Sequence, residues 1–147
     1  MLRQNRIVID MEAIRNNYLV LKKHVGEGVE VMPVIKANAY GHGMLETARA
    51  LSALGASHFA VAIPDEGVEL RLGGIEGEIL VLGAATPRAA HDAIAYGLTQ
   101  TVFTPEMVEL LNREACEQKT NGAGAYQAGY RYEPYWSQNR IGSSRTG

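Results

Sequence analysis

The chain has almost no cysteine, no long apolar run and little net charge among its 147 residues. Its single cysteine, Cys116, cannot form an internal disulfide, and the helical pattern around it favours a bystander over a nucleophile. No stretch approaches the roughly 18 to 20 apolar residues that a membrane helix needs. The formal net charge of −2 is too small to favour nucleic acid or an anionic membrane as a partner. We therefore expect a cytoplasmic protein with no membrane segment and no nucleic-acid partner.

What the chain does have is a regular alternation of short apolar runs and helical patterns from residue 29 to about 118. Before this region, residues 7–9 predict a strand, and Asp10 is the predicted N-cap of a helix over residues 11–25. Thr104 is a predicted N-cap in the same way. Continuous apolar strands between helices are typical of a parallel sheet covered by helices. Strands are predicted over residues 29–35, 58–63, 79–82 and 99–103, and helices over residues 44–54, 64–72, 87–96 and 105–118.

Four units of this kind fit two α/β architectures, an open doubly wound sheet or half of a (β/α)8 barrel. The periodicity of the sequence leaves both open. No Gly-x-Gly-x-x-Gly element follows the first predicted strand, which weakens the dinucleotide-binding version of the doubly wound sheet.

One lysine stands where parallel α/β proteins build their sites. Lys36 follows directly on the first predicted strand, and sites lie at the C-terminal ends of such strands. A lysine whose amine is desolvated there supplies the free base that Schiff-base chemistry needs. Tyr40, four residues on, offers a hydroxyl that could donate to a phosphate. From position alone, a solvated lysine and a packing tyrosine are the commoner cases.

Ten consecutive residues around this lysine resemble the cofactor-attachment signature of alanine racemases: Val34-Ile35-Lys36-Ala37-Asn38-Ala39-Tyr40-Gly41-His42-Gly43. The resemblance implies an N-terminal (β/α)8 barrel that carries pyridoxal 5'-phosphate, followed by a β-rich domain, in a homodimer. It therefore predicts an α/β fold in which this chain forms the N-terminal half of a (β/α)8 TIM-type barrel with parallel strands, followed by an irregular tail. Shorter similarities extend the resemblance over about residues 5 to 118: Ile9-Asp10, His58-Phe59-Ala60-Val61-Ala62, Asp65-Glu66 and Ile79-Leu80-Val81-Leu82-Gly83.

The resemblance also implies roles for four residues. Lys36 would hold the cofactor as a Schiff base and act as the base on one face of the substrate Cα. Tyr40 would bind the cofactor phosphate. Val34 and Leu82 would line the cofactor pocket, although Leu82 is equally a buried strand residue. The implied function is the interconversion of L-alanine and D-alanine, which supplies D-alanine for peptidoglycan precursors, and no metal ion is expected.

Three alternatives stay open beside this function. A racemase of the same fold could act on another amino acid, such as serine or lysine, because the residues that select the substrate are not in this chain. A non-catalytic, single-domain pyridoxal phosphate carrier uses the same barrel, but the ending Tyr40-Gly41-His42-Gly43 resembles the racemases. An inert fragment is the third alternative, and it is compatible with descent from a racemase.

The last part of the chain differs in composition from the rest. Residues 121–147 contain no Leu, Val, Met, Phe or Lys, but they hold four of the seven tyrosines and the only tryptophan, Trp136. No helical or strand period runs through them. We therefore divide the chain into a partial barrel domain over residues 1–119 and an aberrant, disordered tail over residues 120–147. A nucleic-acid-binding arm is the less favoured explanation because this segment holds only three arginines.

A shift of the reading frame would explain this tail. Back-translation of residues 125–137, read one nucleotide later, permits the string His-Ile-Lys-Leu-Asp-Thr-Gly-Met-Asn-Arg-Ile-Gly, which resembles the next signature block of alanine racemases. The hypothesis is that the frame changes near residue 120. The chain would then lack the second half of the barrel and the tyrosine that serves the opposite face of the substrate. A strand edge around Thr101 would be unpaired, so we expect a marginally stable product with little racemase activity.

Overall fold

A computed structural model of the chain describes residues 7–84, 86–120, 123–127 and 136–137. The helices are α1 (Met11–Val25), α2 (Lys36–Tyr40), α3 (Met44–Ser52), α4 (Pro64–Leu72), α5 (Pro87–Ala95) and α6 (Pro105–Glu117). The strands are β1 (His58–Val61), β2 (Glu78–Val81), β3 (Thr99–Val102), β4 (Ala123–Gln127) and β5 (Trp136–Ser137). They form one sheet in the order β1-β2-β3-β4-β5, in which β1 to β4 run parallel and β5 runs antiparallel to β4. None of the helices in the described part is long and apolar enough to cross a membrane.

Both faces of the sheet are buried at its first strands. In β1, Phe59, Ala60 and Val61 are all buried, although successive side chains of a strand point to opposite faces. The sheet is therefore covered on both sides, as its continuous apolar runs predict. The larger hydrophobic cluster joins alternate strand residues to the helices beside them, and it includes Phe59, Val61, Ile79, Val81, Leu51 and Leu70.

Local signals set the helix ends where the sequence predicts them. The Asp10 carboxylate accepts a hydrogen bond from the backbone N–H of Ala13 at 3.0 Å, so α1 begins at the predicted residue. The Thr104 hydroxyl accepts one from the N–H of Met107 at 3.3 Å, at the start of α6. Pro64 stands in the first turn of α4, where the missing N–H of proline costs no hydrogen bond. These three helix starts are confirmed.

Two predicted strands do not form. Between residues 29 and 35, only Val34 pairs, through a parallel bridge to Ala60 of β1. Pro33 has no N–H to contribute to a ladder, which limits pairing at this edge. Residues 7–9 form no strand either, and the side chain of Ile7 is 87% exposed. An apolar run becomes a strand only where a second strand pairs with it, and the sequence pattern does not reveal that partner.

β3 is paired with β4 on the side away from β2. The prediction of an unpaired strand edge around Thr101 is therefore wrong. Thr101 lies opposite Ala125 of β4, in a parallel register that also pairs Thr99 with Ala123. Backbone groups make a parallel ladder, so the small residues of β4 suffice although no strand period marks them. Apart from Thr120, β4 and β5, the predicted tail lies outside the described residues.

The N-terminal edge of the sheet is held by the guanidinium of Arg71. It donates hydrogen bonds to the carbonyls of Ile75 and Gly77 before β2, and to those of Tyr96 and Gly97 before β3, at 2.8 to 3.1 Å. Burial lowers the pKa of this guanidinium from its usual value. Arg71 thereby ties two consecutive βα units together at the N-terminal ends of their strands. The opposite, C-terminal ends are where such folds build their sites.

Candidate functional site

The C-terminal edge of the sheet carries a left-handed turn. After Val34 pairs with β1, the chain enters α2 and passes through Ala37, Asn38 and Ala39 with φ angles of 51°, 55° and 51°. Tyr40 continues the turn with a φ of 54°. This conformation costs L-residues about 1–2 kcal/mol each, and they adopt it singly rather than in runs. A run of four persists only where its surroundings hold it, and such strain clusters at functional sites.

Asn38 is the centre of the hydrogen bonds within the turn. Its carbonyl oxygen accepts a hydrogen bond from the N–H of Gly43 at 3.0 Å. Its side-chain Oδ1 accepts one from the N–H of Met44 at 2.8 Å, at the start of α3, where the N-cap residue Gly43 has no side chain. The N–H of Ala39 donates to the carbonyl of Ile35 at 2.8 Å. The turn is therefore tied to the segment before it and to the helix after it.

A carboxylate from the next βα unit reaches the same turn. Glu66 lies in the first turn of α4, and its Oε1 accepts a hydrogen bond from the N–H of Ala37 at 2.6 Å. Its Oε2 accepts one from the N–H of Ala62 at 2.7 Å. The carboxylate therefore joins two neighbouring chain segments, one directly after Lys36 and the other directly after β1.

The sheet register places three of the four residues predicted for the site near this edge. Lys36 is half-buried and is the first residue of α2. Val34 pairs with Ala60, and Ala60 pairs with Leu80. Leu82 lies two residues beyond Leu80, as Lys36 lies two beyond Val34. The parallel register therefore places Lys36 and Leu82 at the same level, and Val34 two residues before that level.

The fourth predicted residue, Tyr40, ends the left-handed turn and is 62% exposed. Val34 is 44% exposed and Leu82 is half-buried, so both offer apolar surface to a ligand. Gly83 follows Leu82 at a close approach between strand ends. A Cβ at this position would stand 2.6 Å from the carbonyl oxygen of Ala62, which excludes any other residue in this geometry.

Three polar residues that hold this edge were given no role from the sequence: Asn38, Glu66 and Gln100. Gln100 is fully buried in β3, and its Nε2 donates to the carbonyl of Gly83 at 2.5 Å. A long amide in a buried strand is a signal that could have drawn attention to it. The roles of Asn38 and Glu66 depend on the left-handed turn. Glycine is the usual sequence signal for such a turn, and residues 37–40 contain none.

The edge combines a primary amine, a phenol and apolar surface. The amine of Lys36, a half-buried residue, can attack a carbonyl carbon, and the Tyr40 phenol can donate to an anion. Among the residues that the structure describes, no three His, Cys, Asp or Glu side chains come together as a metal site. The arrangement suits a ligand that has both a carbonyl group and an anionic group.

The sequence matches a known family over most of its length. The profile described as "Alanine racemase, N-terminal domain" matches residues 9–124. Alanine racemase 1 of Bacillus subtilis (strain 168) is 48% identical over 101 residues, which cover 69% of this chain and 26% of that protein.

Solved structures show the same likeness. The alanine racemase of Clostridium difficile 630, in complex with cycloserine, matches with a TM-score of 0.80 and 31% identity, over 86% of this chain and 35% of that chain. The histidine racemase of Leuconostoc mesenteroides subsp. sake matches with a TM-score of 0.70 and 31% identity, over 78% of this chain and 30% of that chain. The chain spans about a quarter to a third of the length of these relatives.

Proposed function

Because the chain belongs to the family of the alanine racemase N-terminal domain, we propose that it carries the cofactor-binding part of an enzyme that interconverts L-alanine and D-alanine. Its architecture is the N-terminal part of a (β/α)8 barrel, which confirms the fold class predicted from the sequence. The observation that carries the proposal is Lys36, half-buried at the C-terminal edge of the sheet directly before the left-handed turn. For the whole protein, the proposal includes a homodimer and a supply of D-alanine for peptidoglycan precursors.

The residues at this edge fit pyridoxal 5'-phosphate. The aldehyde of the cofactor suits the amine of Lys36, and its phosphate suits the exposed phenol of Tyr40. Its flat ring suits the apolar surface of Val34 and Leu82. When bound, pyridoxal phosphate supplies an electron sink that makes the Cα–H of an amino acid acidic.

Each of these residues has a distinct task in the proposal. Lys36 attaches the cofactor, and its Nζ, once the amino group of the substrate has displaced it from the cofactor carbonyl carbon, would accept or return the proton at one face of the substrate Cα. A base positioned in this way typically contributes about 10²- to 10⁴-fold to the rate. Tyr40 holds the phosphate end, while Val34 and Leu82 keep water from the ring.

Exchange of the Cα proton of alanine for deuterium tests this function, because exchange needs only one base. With pyridoxal phosphate in D₂O, the chain is expected to exchange one enantiomer of alanine about 10²-fold faster than Lys36→Ala, as measured by NMR. Lys23→Ala, which removes an exposed lysine of α1, is the matched control and should keep the wild-type rate. Equal rates for the wild type and Lys36→Ala would refute the proposal.

A racemase of another amino acid is the second candidate, and the structural likeness to a histidine racemase favours it. The four residues of the proposal hold the cofactor. A racemase of any amino acid would need such residues, so they do not select the substrate. The same exchange measurement with serine, lysine and histidine separates the two candidates. Faster exchange of alanine than of the other three amino acids supports an alanine racemase. Faster exchange of serine, lysine or histidine supports a racemase of that amino acid.

A further inference from the structure

We propose that Glu66 is a positioning residue for Lys36. Its carboxylate holds the peptide between Lys36 and Ala37, and it thereby sets the direction in which the lysine side chain leaves the sheet. This inference rests on the proposed function of Lys36 and adds a residue, 29 positions after Ala37, to the machinery of the same site.

The backbone before Lys36 makes one bridge of a parallel ladder with β1, between Val34 and Ala60. The N–H of Ala60 donates to the carbonyl of Pro33 at 2.9 Å, and the N–H of Ile35 donates to the carbonyl of Ala60 at 2.9 Å. In a parallel ladder, the next residue to bond in this way is Ala62. Its N–H would donate to the carbonyl of Ile35, and its carbonyl would accept from the N–H of Ala37.

The structure makes neither of those two bonds. The N–H groups of Ala37 and Ala62 donate instead to the two oxygens of Glu66, at 2.6 and 2.7 Å. The carbonyl of Ile35 is left for the N–H of Ala39, at 2.8 Å, and this bond closes the left-handed turn. One carboxylate thus replaces two rungs of the ladder, so the chain can turn away from β1 at the proposed attachment lysine.

A carboxylate suits this place better than a neutral group. Hydrogen bonds from N–H groups to a charged oxygen are shorter and stronger than neutral ones, and the two oxygens serve two donors at once. Glu66 also lies in the first turn of α4, where the helix dipole favours negative charge. Asp65 shares this advantage one residue earlier, but it is exposed, and within the described residues its side chain accepts no hydrogen bond.

Glu66→Gln and Asp65→Asn therefore form a matched pair, since both replace a carboxylate by an amide in the same helical turn. The measured quantity is the equilibrium constant for covalent attachment of pyridoxal phosphate to Lys36, in protein shown to be folded by circular dichroism. Glu66→Gln is expected to lower this constant about tenfold, because at least one N–H loses its acceptor. Asp65→Asn should stay within about twofold of the wild type. An unchanged constant in Glu66→Gln, or an equal loss in both variants, would overturn the inference.

Hydrogen exchange of the Ala37 and Ala62 amides gives a second readout that needs no cofactor. At least one of the two amides should exchange about tenfold faster in Glu66→Gln, and both should exchange at the wild-type rate in Asp65→Asn. Unchanged exchange in Glu66→Gln would also overturn the inference.

The experiment also covers a Glu66→Gln variant that does not fold and a wild-type chain that binds no cofactor. If Glu66→Gln does not fold, Glu66→Asp takes its place, because the shorter carboxylate keeps the charge but cannot span both N–H groups. The same two measurements then decide for or against the inference. A wild-type chain that forms no adduct on Lys36 would overturn the proposed function and this inference with it, whereas an adduct insensitive to Glu66 overturns the inference alone.

Discussion

At the scale of single residues, Ala37 has a backbone conformation that L-amino acids avoid, and its side chain is exposed. Glycine adopts positive φ without the Cβ clash, so Ala37→Gly is expected to raise the free energy of unfolding by about 1 kcal/mol. Ala13→Gly, at an exposed position of α1, should instead lower it by about 0.5–1 kcal/mol. Urea unfolding measures both changes. A loss of stability in both variants would show that the turn is not left-handed.

The sequence predicts the lysine of this site but not the residues that hold it in place. Lys36 stands within a ten-residue signature, so its local sequence is enough to single it out. The left-handed turn after it contains no glycine, which is the usual sequence signal for positive φ. Glu66 reaches the turn from 29 residues away, a distance at which no local pattern can indicate a contact.

At the scale of elements, helices could be predicted because their signals are local. Asp10 and Thr104 cap helices within three residues of themselves, so the starts of α1 and α6 follow from a few neighbouring positions. Pairing of strands depends on distant segments. Residues 29–35 are apolar yet make a single bridge, while β4 pairs fully with β3 although its residues show no strand pattern.

At the scale of the whole molecule, we propose that the residues after about 120 come from a shifted reading frame. The match to the family profile ends at residue 124, close to the point where the composition changes. The nucleotide sequence is expected to contain an insertion or deletion near the codons for residues 119–124. It should also spell His-Ile-Lys-Leu-Asp-Thr-Gly-Met-Asn-Arg-Ile-Gly when residues 125–137 are read one nucleotide later. Codons that cannot spell this string would exclude a shifted frame.

Mapping the attachment site tests most directly whether Lys36 holds pyridoxal phosphate, as we propose. The purified chain is mixed with pyridoxal phosphate, reduced with borohydride, digested and analysed by mass spectrometry. We expect the adduct on Lys36, with no adduct in Lys36→Ala and an unchanged yield in Lys23→Ala. Modification spread over exposed lysines such as Lys23 and Lys119, or no modification of Lys36, would contradict the claim.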